Sequence, residues 1–196
     1  MSKVPAADPV LGFVLDLCNT YDLLEEPPDR LSIPLVDRVA SGHGLPGFGL
    51  GAADLEPVRD VRNQLYGVFA ADSASAQVEK LNHLFATYGA VPRLVTGVAT
   101  PPPAGPGSPF PPISSADGEV RLAATGGAGP VARLAVLAAD ALARAIADGS
   151  ADRLRTCVGD PCRCVYVDRT KANRQRYCCE LCNDRMASAA YRRRKR

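Results

Sequence analysis

Apolar residues recur at helical spacing in four separate stretches of the chain. Over 10–23 (VLGFVLDLCNTYDL), Val10, Phe13, Val14 and Leu17 fall at i, i+3, i+4 and i+7, which puts them on one buried helical face. Asp16, Asn19 and Thr20 lie near the predicted end of that helix. A second helix is predicted over 57–71, where Val58, Val61, Leu65 and Val68 repeat behind Pro57; proline suits a first helical turn because the amide it lacks would have no partner there. A third, at 75–88, gathers Val78, Leu81, Leu84 and Phe85. The fourth, at 130–148, has Pro130 at its start, Gly149 past its end, and Val131, Leu134, Leu137, Ala138, Leu142 and Ile146 on one wide face.

Between these stretches the pattern changes. Residues 91–97 (VPRLVTG) and 119–123 (EVRLA) alternate with a period of two and predict a small hairpin. The segment 99–117 that joins them is too rich in Pro, Gly and Ser to pack, and is read as a flexible loop. Repeated Pro and Gly between the first two helices predict turns with one short helix around 34–40. The expected fold class is therefore mainly α with one small β-hairpin, followed by a small C-terminal metal module, treble-clef-like or ribbon-like. The expected boundaries are 1–150 for the helical domain and 151–196 for the module.

Charge and cysteine are what separate the two parts. The chain has 196 residues and a net charge of +2, but residues 1–150 carry −6 and residues 151–196 carry +8. Six of the seven cysteines (Cys157, Cys162, Cys164, Cys178, Cys179 and Cys182) fall within one 26-residue stretch of that basic segment. No apolar run approaches the roughly 18 residues a bilayer demands, and the N-terminus lacks the charged start and clean apolar stretch of a signal peptide. These features exclude a helical membrane protein and predict a cytoplasmic location.

Short cysteine pairs separated by a dozen or more residues, with a strand-like VYV between them, form the pattern of a tetrahedral thiolate zinc site. So small a segment has little core of its own, so zinc would supply much of its folding energy. The first pair reads as Cys157-x4-Cys162 and the second as Cys178 or Cys179 with Cys182. Spacing favours Cys179-x2-Cys182, which leaves Cys164 and Cys178 as spare thiols. A spare thiol beside a zinc thiolate is also a candidate for disulfide formation with loss of the metal.

The helical part shows no catalytic constellation. His43 sits in a Gly-rich turn and His83 on a predicted helix, neither with a His or Cys at metal-binding spacing. There is no glycine-rich phosphate loop and no dinucleotide fingerprint.

The cysteine segment resembles the CGNR zinc-finger family: Cys157-x4-Cys162, an aromatic-apolar strand, Asp168-Arg169-Thr170, a basic run, Tyr177-Cys178, and Cys182-Asn183-Asp184-Arg185 at the signature. Members join this finger to an ABATE domain, a helical region associated with stress-induced transcription regulation. Leu15-Asp16-Leu17-Cys18-Asn19-Thr20 is similar to the opening of that domain, and AADALARAIADGSADRLRTC to its closing helix and junction. The resemblance implies Cys157, Cys162, Cys178 and Cys182 as the zinc ligands, and a DNA-binding transcriptional regulator as the activity.

The basic residues fit that implication. Arg169, Lys171, Arg174 and Arg176 are expected on a hairpin between the cysteine pairs. The helix-compatible tail NDRMASAAYRRRKR places Arg185, Arg192 and Arg196 on one face with Arg193 beside them. Arginine suits bidentate contacts to phosphate and guanine edges. A single small finger reads few base pairs, so a homodimer is expected. The N-terminal domain is read as a signal-sensing or dimerisation domain with a small-molecule effector as a candidate partner, Asp16, Asn19 and Thr20 either contacting that effector or tying down a helix end. The competing readings are a zinc-stabilised protein-interaction module and an enzyme with its active site in the helical domain.

Overall fold

In the computed structural model, which describes residues 8–96 and 120–195, the first helix is the hub of the core. α1 (Pro9–Cys18) starts at Asp8, whose carboxylate accepts from the amides of Val10 and Leu11 at 2.8 and 3.4 Å, satisfying donors that a helix start leaves open. Val10, Leu11, Phe13, Val14 and Leu17 are all buried. Each such side chain contributes about 1.5–3 kcal/mol on leaving water. Around α1 pack α2 (Ile33–Gly42), α3 (Leu55–Phe69) and α5 (Pro130–Ala145), with α4 (Ala74–Thr87) behind α3 and α5. The α5 face is built on Leu134, Ala135, Ala138, Ala139 and Leu142, all buried.

β1 (Ala90–Thr96) and β2 (Val120–Gly126) pair antiparallel, with Leu94 opposite Leu122. This is the expected hairpin; the segment 99–117 lies outside the described residues. No helix among the described residues is long and apolar enough to cross a membrane.

α5 ends in a wider turn, and Gly149 then takes φ +84°, a left-handed conformation that costs glycine little. The chain re-enters as β3 (Leu154–Thr156), which pairs antiparallel with β4 (Val165–Val167). The closing element is α6 (Glu180–Arg194), which gives the treble-clef-like arrangement of hairpin followed by helix.

β4 is buried on both sides, and its period of two divides its residues between two cores. Val165 and Val167 join Leu154 in the helical core, whereas Tyr166 packs with Cys157, Cys162 and Cys182. The cysteine module thus shares apolar surface with the helical domain.

The first helix ends at Cys18, between Asp16 and Asn19 as expected: the Thr20 hydroxyl donates back to the Leu17 carbonyl at 2.7 Å, and Tyr21 then forms an isolated bridge with Asp29. One expectation needs correction. The strand between the cysteine pairs does not pair with the basic run after it. β4 pairs backwards with β3, and residues 168–178 form turns held by side chains.

Candidate metal centre and basic helix

Four thiols converge. The Sγ atoms of Cys157, Cys162, Cys178 and Cys182 all lie within 4.8 Å of one another. The Cys162–Cys178 and Cys178–Cys182 separations are both 3.7 Å. A tetrahedron with Zn–S bonds of about 2.3 Å has edges of about 3.8 Å, so these spacings fit a tetrathiolate zinc site.

Each part of the motif places its thiols by a different device. The turn after β3 carries Cys157, whose sulfur accepts from the amides of Gly159 and Cys178, both at 3.4 Å. The amide of Cys164 donates to the Cys162 sulfur at 3.4 Å. Cys182 sits in the first turn of α6 and is the only buried residue of that helix. Amides aimed at sulfur stabilise thiolate charge, which a zinc site requires. Burial pushes the Cys182 thiol up to about 12 and likewise raises Cys178. A divalent cation offsets that penalty by replacing the protons.

The spacing preference for Cys179 is corrected. Cys179 is the extended residue before α6, at φ −149° and ψ 169°, and extended backbone sends neighbouring side chains to opposite sides. Cys178 therefore faces the cluster, and Cys179 is exposed and outside the four-thiol set. Cys164 is also outside it, half-buried beside Cys162.

The expected basic residues separate into two groups. Arg185 turns inward, its guanidinium 3.3 Å from the Gly159 carbonyl and 3.7 Å from the Cys182 sulfur, and so braces the turn that holds Cys157. Arg169, Lys171, Arg174, Arg176, Arg192 and Arg193 are exposed, and Arg176 stacks at 5.9 Å on the Tyr177 ring. Arg194 and Lys195 extend the exposed cluster, and Arg196 lies outside the described residues.

Sequence reasoning missed the residues that shape the basic turn. Arg155 spreads its guanidinium over the carbonyls of Asp152 (2.9 Å), Gln175 (3.2 Å) and Asn173 (3.1 Å). Arg153, itself buried, donates to the carbonyls of Asp168 and Thr170 at 2.9 and 2.8 Å. Asp168 is fully buried and accepts from the Thr170 amide and hydroxyl and from the Gln175 amide. Burial raises the Asp168 carboxyl, but these donors and the nearby Arg155 outweigh it and hold the group below the usual carboxylate range. The Asp-x-Thr spacing was the available signal, since Asp accepts readily from the amide two residues on.

The three candidate effector residues all have partners within the protein. Asn19 uses its whole carboxamide on β4: its Nδ2 donates to the Val165 carbonyl at 3.0 Å and its Oδ1 accepts from the Val165 amide at 2.8 Å. Thr20 is buried and accepts from Arg62 at 3.2 Å. Asp16 pairs with His43 at 2.7 Å while most of its side chain stays exposed. A cleft of about 510 Å³ opens between the α3–α4 turn and β3, lined in part by Gln77, Arg155 and Tyr166, away from Asp16, Asn19 and His83.

Two family models match the chain. The ABATE model, described as "Putative stress-induced transcription regulator", covers residues 12–156. The model described as CGNR zinc finger covers residues 153–195. No curated protein matches. The finger match and the four-thiol geometry together assign zinc as the cofactor.

Proposed function

The chain belongs to the family that joins an ABATE domain to a CGNR zinc finger, and from that membership we propose that it is a transcriptional regulator that binds DNA through the finger and the arginine-rich end of α6. The observation that carries the reading is α6 itself. It is a 15-residue helix with Cys182 as its one buried residue, and Arg192, Arg193 and Arg194 fill its last turn. A helix with no apolar face contributes little to a core, and its charge is available to a partner. Four thiolates and one zinc ion together subtract two charges from the +8 of residues 151–196, leaving the segment at +6. That remains a strong footprint for a phosphate backbone.

The two cationic groups have different roles in this reading. Lys171, Arg174 and Arg176 sit on a turn fixed by Asp168 and Arg155, which sets their spacing relative to the zinc site. Arg192, Arg193, Arg194 and Lys195 lie on the projecting end of α6. Zinc holds both groups in one relation, so a groove would be contacted from two directions. The helical domain supplies self-association and signal input. Leu94 and Leu122, opposite each other on the β1–β2 hairpin, are 71% and 63% exposed and suit a contact between two copies.

Fluorescence anisotropy of a labelled generic duplex tests the reading. The zinc-loaded protein binds at low salt, and the chelated protein binds far more weakly because the turn and α6 lose their common anchor. Equal failure of both forms to bind at about 50 mM salt, where phosphate contacts are strong, overturns it.

A further inference from the structure

Cys164 is a thiol that the zinc centre does not use, and it has company. Its Sγ, the Sγ of Cys162 and a carboxylate oxygen of Asp22 all lie within 4.8 Å of one another. Asp22 belongs to the helical domain, in the turn after α1, whereas the two cysteines belong to the finger. We infer that Asp22, Cys162 and Cys164 form a second binding site for a thiophilic divalent cation, zinc first, which shares the Cys162 sulfur with the structural centre.

The donor set suits that ion. Two thiolates and a carboxylate provide three protein ligands of the types zinc accepts, and leave the fourth tetrahedral position to water. A coordinated thiolate keeps further lone pairs, so Cys162 can serve two ions. The electrostatics also favour a second cation, because four thiolates around one zinc leave that centre at −2. The Asp22 carboxylate adds to the negative field.

The site is held from both sides. The Asp22 amide donates to the Pro28 carbonyl at 2.9 Å, and Asp22 Oδ1 accepts from the Leu24 amide at 2.9 Å. On the other side Cys164 immediately precedes Val165, whose backbone is clamped by Asn19. Asp22 and Cys164 are both half-buried, so an ion can reach them from solvent. Occupancy would add a bond between the helical domain and the finger, and so make their cohesion depend on free zinc.

Zinc stoichiometry of the reduced, full-length protein tests this, by titration of metal-stripped protein against a chromophoric chelator. The wild type takes up two ions per chain in two steps, the second weaker. Cys164→Ser and Asp22→Asn each take up one, with the first step and the helical circular dichroism unchanged. Added zinc beyond the first equivalent raises the thermal midpoint of the wild type and leaves that of Asp22→Asn unmoved. Saturation of the wild type at one ion, or two ions retained in both variants, overturns the inference.

Discussion

The Asn19 carboxamide pairs with both backbone polar groups of Val165, at 2.8 and 3.0 Å, as though it were a neighbouring strand. Through this contact the end of α1 fixes the strand on which the zinc site is built. Asn19→Ala leaves the Val165 amide and carbonyl without partners at a half-buried junction, an expected loss of about 2–3 kcal/mol in urea unfolding. Asn19→Asp keeps the acceptor for the amide but sets a carboxylate against the carbonyl, so it recovers only part of that loss. Wild-type stability in Asn19→Ala would contradict the clamp.

Zinc loss should be felt beyond the finger. Val165 and Val167 belong to the helical core, so a finger that unravels withdraws apolar surface from the helices. Chelation or Cys157→Ser is expected to lower the thermal midpoint of the whole chain and to abolish the near-ultraviolet signal of Tyr166, with most helical signal kept below that midpoint. Restored zinc at about 100 times its dissociation constant returns about 2.7 kcal/mol. Identical melting with and without chelator would show that the finger and helices fold independently.

A buried ion pair sets the acid limit. Arg62, 3% exposed, meets Asp29 at 2.6 and 3.1 Å, and Arg59 reaches the same carboxylate at 3.0 Å. The Arg62 hydrogen bond is the main influence that lowers the Asp29 carboxyl to about 2. A carboxyl depressed in the folded state gives stability that is complete above its unfolded value, about 3.9, and is lost as pH falls toward about 2. Asp168 acts in the same direction. The Asp29 contribution is about 1–2 kcal/mol, discounted because part of its side chain faces water. Asp29→Asn therefore flattens the acid limb of the stability curve. Arg62→Met leaves Asp29 paired with Arg59 alone and relieves the core of a charge, so it costs less than Asp29→Ala, which takes the carboxylate away from a buried guanidinium at about 3–5 kcal/mol.

Self-association is tested on the hairpin. Replacing both Leu94 and Leu122 by Glu places like charges at facing positions on each copy, and should shift a dimer to monomer in sedimentation equilibrium while leaving the melting temperature within a few degrees. An unchanged mass distribution assigns the exposed leucines no part in association.

Legibility in the sequence tracked how local each cause was. α1, α3, α4 and α5 follow from period and caps, since Val58, Val61 and Leu65 on one face need nothing but a core to meet. Spacing alone read the four-thiol set to within one residue, whereas the family resemblance implied Cys157, Cys162, Cys178 and Cys182, the four that converge. The choice of Cys178 over Cys179 depended on the extended backbone before α6, which spacing does not encode. β3 was missed because Leu154-Arg155-Thr156 is too short to show alternation. The inward turn of Arg185 and the reach of Asn19 to Val165 depend on contacts between residues far apart in the chain, which periodicity cannot report.

The salt dependence of DNA affinity tests the central claim most directly, measured for the zinc-loaded wild type and for a variant with Arg192, Arg193 and Arg194 all changed to Ala. These arginines lie beyond the zinc ligands, so the variant keeps the finger intact. If α6 contacts phosphate, log affinity falls linearly with log salt in the wild type, and the slope is shallower by about 2–3 in the variant. Equal slopes would contradict the account and leave the end of α6 as a solvated tail.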